Sequence, residues 1–416
     1  MRCGTCSTPA CAAPSESTDA PMTALPLAHV RALEAGRGAA AAFCGRLLAC
    51  FGAQVVKVEP PGGDPLRREG APPDSQGPGP LFLYLNAGKL GISLDLDRAD
   101  GADLFRRLAA RADLVVEDLG PGEMERRGLG YPSLAAANGD LIYVSISPFG
   151  SEGPYAAFRA CDIVLYALGG YMYITGEPER EPLQGPPWLP SYLAGAYAFV
   201  GALLALWSRQ AGGGGQRVEV TELEALAGSH QWTQTLFNYS GTVQRRQGNR
   251  YYFSHPNSVY ACADGHVSLS VATEDQFERF CLMLGMPELR EDPRFANNAA
   301  RCANAQALDE TVAPWFRHRR RDEVVALAQE LRIPAAPVLN LGEVLSHPHL
   351  GERGFWQEVE QGTLGRLLLP GPPVRLGERA TLGPAPAVGE HNRQVYGGWL
   401  ALDESQLERL RGAGVI

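Results

Sequence analysis

Asp162 is the residue of this sequence best placed to do chemistry. It follows a glycine-rich turn at 148–154 and stands at the head of the apolar run 163–168. A carboxylate in such a position can act as a nucleophile if its surroundings remove water from it. Aspartate before an apolar run is also a common helix N-cap, which accepts backbone N–H bonds. The residues alone leave both interpretations open.

The elements that must position Asp162 alternate between strand and helix patterns. Helices are predicted at 39–51, where Gly52 ends the pattern, and at 98–111. Apolar runs predict strands at 55–58, 92–96, 114–116, 141–147 and 217–220. This alternation predicts an α/β fold with a mostly parallel sheet covered on both faces. Since ligands bind beyond the carboxyl ends of such strands, we expect a site among the loops at Glu59, Asp118 and Pro148.

The pattern changes beyond Leu223. Strand patterns at 259–262 and 267–270 flank a turn and predict a hairpin. Helical patterns follow at 274–284, 305–316 and 321–331. The predicted organisation is a leader at 1–22, a large domain whose first part is 23–222, a small α+β domain at 223–346, and a return to the large domain at 347–416. The leader is rich in Ser, Thr, Pro and Ala and has no apolar signal core, so we expect it to be disordered.

Composition excludes several classes of protein. The chain has 416 residues, 45% of them hydrophobic, and a net charge of −9, which argues against nucleic-acid binding. The longest apolar stretch, 192–207, is shorter than the roughly 20 residues that span a bilayer, so we interpret it as a buried helix and expect no membrane partner. Nine scattered cysteines favour a reducing cytoplasm. His347 and His349 have no third ligand nearby, and we predict no metal.

Several sequence blocks occur in a fixed order along the chain. They are GAQVVKVEP (52–60), NAGKLGISLDL (86–96), ADLVVEDLGPG (112–122), LIYVSISPFG (141–150) and, near the end, PAVGEH (386–391) and LRGAGVI (410–416). In order and spacing these blocks resemble the family III CoA-transferases. This CaiB/BaiF family includes formyl-CoA transferase, carnitine CoA-transferase and α-methylacyl-CoA racemase.

The resemblance implies a fold and a reaction. It implies a discontinuous, Rossmann-like large domain with a smaller α+β domain, in subunits that form an interlocked homodimer. The implied reaction moves CoA from an acyl-CoA thioester to a small carboxylic acid. Asp162 would attack the thioester to form a mixed anhydride, and the CoA thiolate would then form a thioester with the aspartyl carbonyl. Coenzyme A is a substrate in this scheme, and no permanently bound cofactor is implied.

The matching motifs also suggest which residues contact CoA. They assign Arg67, Arg68, Asn86 and Lys89 to the CoA pocket, with Arg37 added from the loop before the first long helix. For each of these residues the alternative role is solvation of the surface. Two neighbouring glycines have a separate candidate role: Gly169 and Gly170 either let backbone N–H groups approach an oxyanion or kink a helix.

The sequence departs from the family pattern at three places. Lys89-Leu-Gly stands where the family has Lys-Arg-Ser, and Glu117-Asp118 where it has Glu-Asn. Ser191 stands where an aspartate is common. These departures leave the acyl specificity open.

Two other functions remain open besides CoA transfer. A racemase would need a histidine opposite Asp162, and the sequence has none between His29 and His230. His255, further along the chain, is another histidine that could take that role. A catalytically silent CoA-binding scaffold is the third possibility.

Overall fold

The structure is a computed structural model that describes residues 25–72, 77–376 and 381–416. The predicted leader, 1–22, lies outside the described residues. The strands are β1 (Arg31–Glu34), β2 (Gln54–Glu59), β3 (Leu90–Ser93), β4 (Leu114–Glu117), β5 (Ile142–Ser147), β6 (Gln216–Thr221), β7 (Asn257–Cys262), β8 (Gly265–Ser270), β9 (Ala335–Pro337), β10 (Trp356–Glu360) and β11 (Arg366–Pro370).

Eighteen α-helices lie in the part of the chain that the structure describes. They are α1 (Ala39–Cys50), α2 (Pro80–Asn86), α3 (Ala99–Ala109), α4 (Glu123–Arg126), α5 (Tyr131–Ala135), α6 (Asp162–Leu168), α7 (Tyr171–Ile174), α8 (Leu189–Ser208), α9 (Glu222–Gly228), α10 (Gln231–Ser240), α11 (Glu274–Leu284), α12 (Asn298–Ala303), α13 (Ala305–Arg317), α14 (Arg321–Glu330), α15 (Leu341–Leu345), α16 (Pro348–Glu352), α17 (Asn392–Leu400) and α18 (Glu404–Gly412).

Six parallel strands form the main sheet, in the order β3-β2-β1-β4-β5-β6. The predicted α/β class and parallel sheet are confirmed. Strand β1, at the centre, was not predicted, because only four residues form it and two of them are charged. Leu33 of β1 pairs with Val56 on one side and Val115 on the other. The strand order reverses between β1 and β4, and in open α/β sheets this reversal opens a crevice at the carboxyl ends of the strands.

Helices cover both faces of this sheet. α1 and α8 pack on one face, and α3 and α17 pack on the other. The second pair joins distant parts of the chain, since Asn392 Oδ1 accepts the Ser93 N–H at 2.9 Å and Tyr396 donates to the Ser93 carbonyl. The C-terminal segment therefore returns to the sheet, as a discontinuous large domain requires. The domain boundaries stay predictions.

Helix α8 is longer than predicted. Within the described residues it is the one helix, with the turn after it (Leu189–Gly213), whose length and apolar composition would suit a membrane span. One face packs closely on α1, where a Cβ added to Gly195 would lie 2.6 Å from the Ala40 carbonyl oxygen. The opposite face is exposed and apolar in the single chain, so the helix predicted to be buried is buried on one face. That face carries Tyr197, Val200, Leu204 and Trp207.

The small domain has its own antiparallel sheet, β7-β8-β9, and its own core. The predicted hairpin and the helix at 274–284 are confirmed. Arg301 is fully buried here and binds the Glu274 carboxylate through both terminal nitrogens, at 2.9 and 3.0 Å. It also donates to the carbonyls of His255 and Phe295. One guanidinium thus joins three segments of the domain.

We predict that Arg301→Met destabilises the protein by about 3 kcal/mol, because the substitution leaves two buried carbonyls without donors. Urea unfolding followed by circular dichroism measures the loss. Arg294→Met is the control, since Arg294 forms an exposed pair with Asp292. Equal unfolding midpoints for Arg301→Met and the wild type would contradict the prediction.

Candidate active site

Asp162 begins α6 and holds one hydrogen bond from another part of the chain. Cys161 occupies the N-cap position and forms no side-chain cap, so the N-cap interpretation of Asp162 does not hold. Instead Asp162 Oδ2 accepts the backbone N–H of Trp188 at 2.5 Å. No described residue hydrogen-bonds Oδ1. The carboxylate is therefore oriented by one oxygen and open at the other.

Trp188 has an unusual backbone conformation. Its φ is 58°, in the left-handed region that bulky residues rarely adopt. A residue held there costs about 1–3 kcal/mol, and such residues cluster at functional sites. The conformation places the Trp188 N–H against Asp162 immediately before α8 begins. We take this outlier as an independent indication that Asp162 marks the site.

Asp118 closes the crevice at the reversal of strand order. Its carboxylate accepts the backbone N–H groups of Arg37, Gly38 and Ala41 at 2.7, 3.0 and 3.0 Å. A Cβ on Gly36 would lie 2.6 Å from Asp118 Oδ1, so only glycine leaves room for this contact. The amino end of α1 would otherwise suit a phosphate. Asp118 already satisfies these N–H groups.

A buried network of charges lies beneath the crevice. Glu34 binds Lys57 at 3.2 Å and Lys89 at 2.6 Å, and Lys57 also binds Asp64 at 2.6 Å. Burial lowers the pKa of Lys89 to about 8, although the Glu34 charge opposes this shift. Burial would also lower the pKa of Lys57, but Glu34 and Asp64 outweigh it and raise that pKa. The two lysines and the two carboxylates therefore neutralise one another's charge in a region that water does not reach.

Two residues predicted to contact CoA belong to this network. Lys89 is 2% exposed, and its Nζ also binds Asn86 Oδ1 at 3.0 Å. Asn86 is 0% exposed and donates back to its own helix at the Phe82 carbonyl. The structure therefore brings Lys89 and Asn86 together, but beneath the crevice. Direct contact of either residue with CoA stays a prediction.

The three predicted arginines differ in exposure. Arg67 binds both oxygens of Glu59 at 2.7 Å and stacks on Phe82, so its guanidinium is held within the fold. Arg68 is exposed. Arg37 is exposed as well and lines a cavity of about 40 Å³ at the carboxyl ends of the strands. Arg37 and Arg68 are the predicted cations that an incoming anion can reach.

Gly169 and Gly170 lie at the far end of α6 from Asp162, roughly 10 Å along the helix at 1.5 Å per residue. The Gly169 N–H donates to the Leu165 carbonyl within the helix. Gly170 has a φ of 85° and is the N-cap residue of α7. Both glycines line a cavity of about 500 Å³ together with His230. The structure does not bring the pair next to the Asp162 carboxylate, and their oxyanion role stays a prediction.

Glu222 is a site residue that sequence reasoning missed. It begins α9 directly after β6, and its Oε1 lies 2.6 Å from Ser191 Oγ. Burial raises the pKa of Glu222, and the negative charges of Asp118 and Asp162 raise it further. The signal was available, because Glu222 is the second residue past the predicted strand 217–220, at the carboxyl end of that strand. The other missed residue, Trp188, has no such signal.

The architecture is that of an α/β enzyme with a carboxylate at the carboxyl edge of a parallel sheet. The model of CoA-transferase family III matches residues 27–392. The succinyl-CoA–D-citramalate CoA-transferase of Chloroflexus aurantiacus is 36% identical over 94% of this chain and 98% of its own length. The succinyl-CoA–L-malate CoA-transferase beta subunit of the same organism is 32% identical over 96% of this chain and 100% of its own.

A solved structure agrees with these relatives. The crystal structure of a CaiB/BaiF family protein from Brucella suis gives a TM-score of 0.83 and 31% identity, covering 90% of this chain and 100% of that one. The chain therefore belongs to CoA-transferase family III and is an enzyme of that type. Across residues 25–72, 77–376 and 381–416, no three His, Cys, Asp or Glu side chains are grouped to hold a metal ion.

We predict that Glu117→Gln stabilises the protein above pH 7. Glu117 is 4% exposed, and burial raises its pKa to about 7. The unfolded chain releases this proton near pH 4.5, so wild-type stability falls as pH rises from about 4.5 to 7. The variant should gain up to about 3 kcal/mol over wild type by pH 8.

Urea unfolding at several pH values measures this gain, with Glu125→Gln as an exposed control on α4. A gain for Glu117→Gln that does not change between pH 4.5 and 8 would show that its charge is not the cause.

Proposed function

We propose that this enzyme transfers CoA from succinyl-CoA to a hydroxy-dicarboxylic acid through a covalent intermediate on Asp162. One observation carries the proposal: Asp162 has one oxygen held by the Trp188 N–H and the other free of hydrogen bonds from described residues. The names of the two relatives supply the substrate class, since both use succinyl-CoA and both D-citramalate and L-malate are hydroxy-dicarboxylic acids.

The first half-reaction exchanges one oxygen of Asp162. Oδ1 attacks the thioester carbonyl, the C–S bond breaks, and the products are a mixed anhydride and the CoA thiolate. The thiolate attacks Cγ of Asp162 and breaks the bond to Oδ1, which leaves with the released acid. Asp162 now carries CoA as a thioester and keeps Oδ2 as its carbonyl oxygen. The second acid repeats these steps in reverse and leaves one of its own oxygens on Asp162.

Trp188 has a direct role in this scheme. Each attack on Cγ places negative charge on Oδ2, the atom that already accepts the Trp188 N–H. A donor aimed at a developing oxyanion typically contributes about 3–4 kcal/mol to catalysis. Its position is set before the reaction by the left-handed backbone of Trp188. The bond also selects Oδ1 as the attacking atom.

The crevice between β1 and β4 is the proposed path of CoA. Arg37 and Arg68 are exposed and can pair with phosphates. Arg67, Asn86 and Lys89 act from below, because their side chains hold the loops that shape the crevice. The racemase alternative gains no support, since His230 lies with Gly170 at the far end of α6.

We infer that the active form is a homodimer that buries the exposed face of α8. Leu204 and Trp207 on this face are 65% and 73% exposed, and Tyr197 and Val200 continue the same stripe. Contiguous apolar surface of this kind marks an interaction site. The interlocking of subunits and a cytoplasmic location stay predictions from the sequence.

We predict that Asp162→Asn abolishes transfer from succinyl-CoA to malate or citramalate, because an amide cannot form the anhydride. Wild-type enzyme incubated with succinyl-CoA and hydroxylamine should yield a hydroxamate at Asp162, which peptide mass spectrometry identifies. Asp162→Glu is the second variant, since it keeps the charge but displaces the oxygen. Near-normal turnover by Asp162→Asn, with no hydrolysis back to Asp, would exclude the mechanism.

We predict a dimer in sedimentation velocity at sub-micromolar concentration, and a monomer for the double variant Leu204→Glu, Trp207→Glu. The two charges cannot be buried in an apolar interface without a large desolvation cost. Leu282→Glu is the control, since Leu282 is 61% exposed on α11 of the small domain. A monomeric wild type would refute the proposed assembly.

A further inference from the structure

A short segment at the start of α8 contacts two acidic residues of the site. Trp188 donates its backbone N–H to Asp162, and three residues later Ser191 lies 2.6 Å from Glu222. Glu222 belongs to α9, which follows β6. The first turn of α8 is therefore tied to α6 at one point and to α9 at the next.

The Glu222 side chain is not explained by its own helix. The N-cap of α9 is Thr221, whose Oγ1 accepts the Glu224 N–H at 3.0 Å. Glu222 turns away from these N–H groups toward α8, and no cation among the described residues pairs with it. Ser191 on α8 contacts Glu222 directly, and the negative charges of Asp118, after β4, and Asp162, on α6, act on it electrostatically. A partly buried carboxylate without a cation is costly, and an apolar residue would pack there at less cost.

We propose that Glu222 is a positioning residue for Asp162, acting through Ser191 and the first turn of α8. The contact fixes the turn that delivers the Trp188 N–H to Oδ2. It also gives Ser191 a role in physical terms, because its hydroxyl contacts the acid that stands opposite it on α9. This inference rests on the proposed role of Asp162.

The charge on Glu222 should make the KM for the acid depend on pH. This dependence would be absent if Glu222 only packed against its neighbours. Below its pKa Glu222 is neutral, and above it a second negative charge faces Asp162 and the incoming acid. Because like charges repel, the KM for the acid should rise as pH increases through the pKa of Glu222. Glu222→Gln should accept the Ser191 hydroxyl as before but lose this rise.

The experiment measures hydroxamate formation at Asp162 with succinyl-CoA and hydroxylamine, together with kcat and KM for malate across pH. Ser191→Ala and Glu222→Ala should lower the trapping rate and kcat about ten- to a hundredfold, because a small misplacement of a reacting group has that effect. Glu224→Gln, an exposed acid in the same turn of α9, should match wild type. The exchanged pair Ser191→Asp with Glu222→Ser should recover most of the loss, because it restores an acid–hydroxyl contact.

The outcomes separate this inference from the proposed function. Wild-type labelling at Asp162 with unchanged rates in Ser191→Ala and Glu222→Ala would overturn the role of Glu222 alone. A second outcome would show that Glu222 only packs. In that outcome Ser191→Ala and Glu222→Ala lose rate, the exchanged pair does not recover it, and Glu222→Gln keeps the pH profile of the wild type. No labelling of the wild type would overturn the proposed function and this inference with it.

Discussion

The hydrogen bond from the Trp188 N–H to Asp162 Oδ2 is the interaction on which the proposed chemistry depends. A free carboxylate is a weak nucleophile with two equivalent oxygens. The bond makes the oxygens different, since Oδ2 is held and Oδ1 is open. It requires a strained backbone at Trp188, and the surrounding structure must maintain that strain. α8 provides the support by packing along α1 and by its Ser191 contact with α9.

The sheet contributes a second constraint, the buried charges beneath the crevice. Breaking a buried ion pair leaves a lone charge, which typically costs about 3–5 kcal/mol. Glu34 lies between Lys57 and Lys89, so the loss of any member affects the other two. The network joins the loops after β1 and β2 to the residues preceding β3. Asn86 and Lys89, two of the residues expected to touch CoA, lie buried in this layer beneath the crevice.

Helices and strands with a regular apolar pattern could be predicted from the sequence. Contacts that depend on how distant segments pack together could not. The helix at 274–284 and the strand at 141–147 were found because their apolar patterns are regular. β1 was missed because its four residues carry no clear period. The burial of Asn86 and Lys89 could not be predicted, since the same motif suits a surface loop. Trp188 could not be predicted either, because no sequence pattern indicates a left-handed tryptophan.

The most direct test follows the oxygen atoms of Asp162. Wild-type enzyme turns over succinyl-CoA and malate whose carboxylates are labelled with ¹⁸O, and mass spectrometry then measures the peptide that contains Asp162. Only the oxygen at the Oδ1 position should exchange, because the Trp188 N–H holds Oδ2. We expect a gain of one ¹⁸O that does not increase with further turnovers. Incorporation of two ¹⁸O atoms would show that the oxygens are equivalent, and no incorporation would show that Asp162 is not the nucleophile.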